Sequence, residues 1–260
     1  MKRRLFRWTT ILYTLVIYLI LYIPIVVLMI YSFNESKLNV VWTGFTFKWY
    51  AALLHNTDVL NSFKVSMILA AISTVLSAMI GTLAAVGMYR YNFKGKSVLD
   101  ALLYIPVVIP EIVMGIALLA LFAQARLALG MTTLVIAHVA FSIPFVVIVV
   151  KARLDGFNRS IEEAAMDLGA DRWQTFYRVT LPIIMPGIVS GALLAFTLSL
   201  DDVVISFFVA GPQSTTLPLK VFSMVKFGVS PEINALSTIM LLVTLGIVVI
   251  AETIRAKQTA

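Results

Sequence analysis

Cysteine is missing from all 260 residues, which removes disulfides, thiolate metal sites and cysteine nucleophiles from the chemistry open to this chain. Histidine is nearly missing. His55 falls in a loop and His138 in an apolar run, neither with a second ligand at metal-binding spacing, so a packed or solvated ring is expected at both and no metal site. A phosphate-binding glycine loop is incomplete: the fragment Gly95-Lys96-Ser97 would need its leading glycine at position 90, which is Arg90. Any ATP hydrolysis coupled to this chain therefore belongs to another subunit. Charge is scarce too, at 13% of residues against 60% hydrophobic, with a mean hydropathy of +0.97. That excess of apolar surface excludes a soluble globular domain.

What the chain has instead is long apolar runs. Bilayer hydrocarbon is about 30 Å thick and takes about 20 apolar residues per helical span. Six runs meet that length, over Thr9–Phe33, Ser62–Tyr89, Val98–Phe122, Met131–Val150, Ile183–Ser206 and Ile233–Ile254. Lipid supplies no partner for backbone N–H and C=O groups, so each run is expected to be helical. The expected class is an all-α polytopic membrane protein with one transmembrane domain over 1–260. Placing the N-terminus inside puts fourteen of the 20 lysines and arginines on the inner side. The outer side receives Lys37, Lys48, Lys64, Arg126, Lys220 and Lys226. Both termini are therefore expected in the cytoplasm. The net charge of +7 then lies against anionic inner-leaflet lipid, and nucleic acid is not needed to explain it. Lys2, Arg3 and Arg4 before the first run resemble a signal peptide, but the run is longer than a signal core and reads as an uncleaved span.

Residues 151–181, between the fourth and fifth runs, form the most polar stretch of the chain. Ser160 and Glu163 fit a capping box that starts a short helix reaching Leu168. Gly169 is placed to close that helix in a left-handed conformation, and Asp171 to cap a second helix running to Val179. Glu163, Ala164, Ala165, Gly169, Leu181 and Pro182 resemble, in identity and spacing, the coupling loop of ABC importer permeases, with Val179 in place of that family's isoleucine. The resemblance implies the type I importer permease fold and a short helix that docks into a groove of a separate ATPase, which would bind ATP and Mg. Small Ala164 and Ala165 allow close approach, and Glu163 can anchor by charge-assisted hydrogen bonds.

Three carboxylates stand where hydrocarbon disfavours them. Asp201 and Asp202 fall near the end of the fifth run, about 27 Å from its start by helical rise, and Glu111 about 20 Å up the third. Intramembrane acids usually face a polar pathway. Adjacent residues on a helix point about 100° apart, so one of the two aspartates can bind substrate while the other pairs or caps. Pro106 and Pro110 precede Glu111 and are expected to break the helix there, a common way to build an intramembrane cation site. Alternatively, Glu111 is a helix-start acid stabilised by the dipole. Trp42, Phe45, Phe47, Trp49 and Tyr50 lie in the first outer loop, where aromatic faces serve either as an interfacial belt or as cation contacts; Trp49 is the one chosen for contact.

Separated acids with aromatic walls suit a flexible cation of several charges. The strings 46–50, Leu198-Ser199-Leu200-Asp201-Asp202-Val203-Val204, 217–226 and 229–235 are similar to those of permeases in bacterial spermidine/putrescine importers, and the likeness extends over nearly the whole chain. It implies polyamine as cargo, with Trp49, Glu111, Ser199, Asp201 and Asp202 as substrate-contacting residues. It also implies a homologous second permease, two ATPase subunits, a periplasmic polyamine-binding protein and a place in the bacterial inner membrane. Two other readings stay open on the residues alone: a permease of the same architecture with different cargo, and an ion-coupled secondary carrier. An enzyme is not indicated, because no nucleophile, metal cluster or base pair emerges.

Overall fold

The computed structural model describes residues 2–36, 41–226 and 231–259. Lys37, counted above as an outer cation, and Val229 with Ser230 of the outer string lie outside the described residues. Among the described residues twelve α-helices follow one another: α1 Lys2–Tyr31, α2 Lys48–His55, α3 Thr57–Arg90, α4 Lys96–Val108, α5 Glu111–Gln124, α6 Met131–Asp155, α7 Ser160–Asp167, α8 Arg172–Thr175, α9 Leu181–Asp201, α10 Val204–Val209, α11 Leu217–Lys226 and α12 Pro231–Thr259. A π-helical turn, Phe176–Thr180, joins α8 to α9. The described residues contain no strand, only an isolated antiparallel bridge between Asn34 and Phe45.

The apolar runs are helical, and two of them are interrupted, the third as its prolines led one to expect and the fifth near its end. Trp8–Tyr31, α3, α6 and the continuous stretch Arg172–Asp201 are each long and apolar enough to cross a membrane; α12 contributes the shorter apolar segment Pro231–Gly246. The third run breaks into α4 and α5, bent by 110°. Pro110 has no N–H to give and disfavours a helical residue before it, so Ile109 turns extended at ψ 136°. Pro106, by contrast, is absorbed inside α4, as Pro24 is in α1 and Pro144 in α6. The fifth run ends at Asp201, where Asp202 is extended, and not at Ser206. It also begins earlier than Ile183, because the second loop helix does not stop at Val179 but continues through the π-helical turn into α9. The fourth run extends past Val150 to Asp155, since Leu154 is still buried in the core.

The described chain divides into two units, Met1–Leu60 with Val221–Val249 and Asn61–Lys220 with Ile250–Ala260. In the first, buried Asn34 holds the outer loop: its Nδ2 donates to the Val41 carbonyl at 2.8 Å and its Oδ1 accepts from Thr43 N at 3.0 Å. Phe33, Phe45, Phe47 and Tyr50 stack on one another there, Phe33 lying 5.1 Å from both Phe45 and Tyr50. Asn56 Nδ2 donates to Glu232 Oε1 at 3.0 Å, joining the α2–α3 turn to the first turn of α12.

The second unit is built around α6. Side chains four residues apart lie on one face of a helix, and α3 and α6 pack in parallel through such a row. Leu69 and Leu134 share one buried cluster, Gly81 meets Val146, and Ala85 and Val150 share another cluster. α9 runs antiparallel on the same seam, with Ser199 at His138 and Gly191 at Val146. Gly187, Gly191 and Ala195 form a small-residue row on α9 that lets the backbones approach. A Cβ at Gly191 would lie 3.3 Å from the Cα of Val146. Substituting Gly191→Leu is therefore expected to cost about 1–3 kcal/mol through overpacking, read as a lower unfolding midpoint in detergent. An unchanged midpoint would show that α9 can step away from α6 without loss.

Candidate functional site

The α9–α10 break separates the two neighbouring aspartates. Asp202 turns inward and is buried. Its Oδ1 accepts from Ile205 N at 3.1 Å, and its Oδ2 from Ser206 N at 2.8 Å and Ser206 Oγ at 2.7 Å. The carboxylate thereby satisfies the free amides that begin α10, as an N-terminal cap does. Its remaining neighbour is His138 Nε2, at 3.5 Å. Asp201, the last residue of α9, stays exposed and accepts none of those bonds. Of the two roles expected from their angular separation, Asp202 takes the capping one, and Asp201 is the exposed carboxylate.

Ser199, singled out with them, is buried, and its hydroxyl lies 2.8 Å from His138 Nδ1 and 3.1 Å from Ser73 Oγ. It belongs to the internal network and not to the exposed surface. His138 was expected only to pack. It is instead the hub of that network, and the signal in the sequence was a lone imidazole in an apolar span whose polar neighbours lie on other helices.

Glu111 opens α5 directly after the break at Pro110 and is exposed. Its carboxylate therefore stands at the positive end of the helix dipole, as the simpler expectation had it, and it also lies within electrostatic reach of Asp201. α5 packs along α10, where Gly115 faces the ring of Phe208, and this sets the start of α5 on the same side of the unit as the α9–α10 break. Trp49 lies in the other unit. Its indole Nε1 donates to the Asn34 carbonyl at 2.7 Å, and Lys48 Nζ sits 4.8 Å from its ring centroid, so the chain's own ammonium occupies that aromatic face.

The charged loop folds as a helix, a turn and a second helix. The start of α7 corrects the expected capping box: Ser160 is the first helical residue, its N–H bonds to Asn158 Oδ1 at 3.1 Å, and Glu163 N bonds to the Arg159 carbonyl. The N-cap position falls on Arg159, which makes no side-chain cap bond, and the Asn158 amide oxygen closes a local turn onto the amide two residues ahead. The end of α7 is as expected. Gly169 has φ +91°, Ala170 N reaches the Ala165 carbonyl at 3.1 Å and Gly169 N the Met166 carbonyl at 2.9 Å, a Schellman closure. Asp171 caps α8 through Gln174 N at 2.7 Å.

Glu162, next to the singled-out Glu163, does different work. Its carboxylate accepts from both Arg90 Nη2 and Thr180 Oγ1, tying α7 to the end of α3 and the start of α9. Arg159 donates to the Tyr89 carbonyl at 2.7 Å and lies over the Tyr89 ring. A cavity of about 270 Å³ lies between these elements, lined by Arg90, Arg159, Glu162, Glu163, Met166 and Arg172 among others. Glu163 and Ala164 face outward beside Leu168, 90% exposed, and Trp173, 71% exposed, while Ala165 is half-buried. Leu181 and Pro182 form the first turn of α9, where a missing proline N–H costs nothing. This leaves a small, partly apolar platform that carries the exposed Glu163 carboxylate, on a helix tied down through Glu162.

Residues 77–257 match the family model described as "Binding-protein-dependent transport system inner membrane component". Among curated proteins, the chain is 45% identical over 243 residues to the spermidine/putrescine transport system permease protein PotC of Escherichia coli K12, covering 94% of this chain and 92% of that one. It is 47% identical over 228 residues to the putrescine transport system permease protein PotI of the same strain, covering 85% and 81%. Among solved structures, it resembles a bacterial ABC transporter involved in the import of the acidic polysaccharide alginate, with a TM-score of 0.79 over 100% of this chain and 98% of that one at 18% identity. At that identity the likeness concerns fold alone.

The unequal bonding of the two aspartates sets an expectation for stability. Hydrogen bonds to a charged group contribute about 1.5–3 kcal/mol each, so Asp202→Ala should lower the unfolding midpoint in detergent clearly, while Asp201→Asn should leave it near wild type. Equal shifts for the two variants would contradict the assignment of Asp202 as the cap.

Proposed function

The chain belongs to the family of binding-protein-dependent transport system inner membrane components, and on that premise we propose that it is a permease subunit of an ATP-driven polyamine importer in a bacterial inner membrane. It is a multi-pass transport subunit and not an enzyme. Its likeness to spermidine/putrescine and putrescine permeases over most of its length supports the cargo. The observation that carries the site is the helix break that leaves Asp201 exposed with Glu111 in electrostatic reach while Asp202 is spent on the backbone. Two separated carboxylates in an apolar setting attract a flexible cation with several ammonium groups and reject an anion.

In this reading a homologous second permease supplies the other half of the pathway. Two ATPase subunits bind ATP and Mg and dock on α7, whose outward Glu163, Ala164 and neighbouring Leu168 form the contact. A periplasmic binding protein delivers the polyamine. ATP-driven closure of the ATPases carries α7 with them, and Glu162 transmits that displacement to α3 and α9 through Arg90 and Thr180. Because α8, the π-helical turn and α9 are one continuous helical stretch, movement of the loop displaces the helix that ends in Asp201. Asp201 and Glu111 hold the amines transiently, since a ligand bound equally well in all states would not drive the cycle.

Uptake of labelled spermidine and putrescine by liposomes carrying the four-component complex tests this directly. Asp201→Asn should reduce ATP-dependent uptake by roughly tenfold or more while the ATPase still co-purifies. Normal uptake would remove Asp201 from the site, and flux independent of ATP would overturn the importer reading. Glu163→Ala should leave ATP hydrolysis in place but cut its dependence on the liganded binding protein, with uptake falling accordingly. Intact coupling in that variant would refute the docking role of Glu163.

A further inference from the structure

The polar side chains at the α9–α10 break that do not reach the surface form one connected chain. Ser73 of α3, His138 of α6, Ser199 of α9 and Ser206 of α10 are all buried, and polar groups so placed are costly unless each is bonded. Their protons follow by elimination. A carboxylate only accepts, so the Ser206 hydroxyl, 2.7 Å from Asp202 Oδ2, gives its single proton to Asp202. Ser206 Oγ then offers the ring only lone pairs, and His138 Nε2, 3.1 Å away, must carry a proton and donate it. With one ring proton on Nε2, Nδ1 accepts from Ser199 Oγ at 2.8 Å; Ser73 Oγ lies 3.1 Å from Ser199 Oγ and 2.7 Å from the Leu69 carbonyl, the nearer acceptor for its one proton. The bonds from Ser199 through His138 and Ser206 point the same way, from α9 through α6 to Asp202.

The imidazole thus grips both sides of the break. Ser199 stands two residues before Asp201, and Asp202 and Ser206 lie after it. One ring nitrogen holds the last turn of α9 and the other the first turn of α10, with Asp201 between them. A helix end has soft backbone angles, and the six residues of α10 are too few to hold themselves helical. The direction of Asp201 therefore depends on this bridge. Resting on the reading of Asp201 as the substrate carboxylate, we propose that His138 is a positioning residue of the translocation site: it meets no substrate and aims Asp201 by holding the α9 and α10 ends in register from α6.

The test measures polyamine transported per ATP hydrolysed by the reconstituted complex. Loss of folded protein lowers uptake and hydrolysis together and leaves that ratio unmoved, whereas a misaimed carboxylate lowers the ratio. His138→Leu should reduce it by about fivefold or more. His138→Gln, which keeps one acceptor and one donor, should restore it to within about twofold. Combined with Asp201→Glu, which already displaces the carboxylate, His138→Leu should add little, because both changes act on the same atom positions. Should His138→Leu fail to assemble, Ser206→Ala removes the α10 side of the bridge with the ring intact and should lower the ratio likewise. An unchanged ratio in the assembled variants, or effects that multiply in the double variant, would overturn the proposal while leaving Asp201 in the site. A wild-type ratio and uptake in Asp201→Asn would overturn the site itself, and this inference with it.

Discussion

Hydrocarbon gives a polar group nothing to bond to, and the second unit is organised around the places where that demand has to be met from within. An unbroken helix meets it without help. At the α9–α10 break the amides that begin α10 are left over, and the Asp202 carboxylate takes two of them while Ser206 Oγ and His138 close its remaining side. A buried carboxylate is itself costly, and it is tolerated here because donors surround it. The break, the cap and the imidazole bridge are therefore one arrangement, and the exposed position of Asp201 follows from it.

The same accounting explains the other break. Pro110 withholds an N–H and turns Ile109 extended, and α5 restarts with Glu111 at its positive end. Two interruptions, one forced by proline and one held by a capping aspartate, leave Glu111 and Asp201 exposed at helix ends within one unit, where α5 and α10 pack side by side. Close approach elsewhere is secured by small residues: Gly187, Gly191 and Ala195 let α9 lie against α6, so the helix that carries the acids is braced along its length.

At the opposite end of α9 the bracing is ionic. Glu162 receives both Arg90 and Thr180, so α7 is fastened to α3 and to the start of α9. Such a partly buried clamp is less screened than an exposed pair. The outer face of α7 stays clear of these bonds, with Glu163 and Leu168 presented outward. A docking platform on one side and a mechanical linkage on the other thus come from two adjacent glutamates, which point in different directions because neighbouring helical residues do.

By itself the sequence determined the class, the apolar helices, the closure of α7 at Gly169, the capping by Asp171, the interruption after Pro106 and Pro110, and the family of the chain. Each of these rests on local chemistry or on spacing within one segment: hydropathy against bilayer thickness, a glycine where φ is positive, a proline without an N–H. The tertiary structure alone decided which of Asp201 and Asp202 is exposed, that Ser199 is internal, that Trp49 is already covered by Lys48, that Glu162 is the clamp, and that His138 joins α6 to α9 and α10. Several of those outcomes depend on distant partners, such as Ser73 with Ser199 and Arg90 with Thr180, and the others on how the backbone path turns near neighbours toward each other, as with Lys48 over Trp49 and Ser206 at Asp202. No periodicity within one helix encodes which side chain of another will meet it. The start of α7 fell between the two, because Ser160 is a competent cap by type but the backbone path put it inside the first turn, with Asn158 bonding its amide.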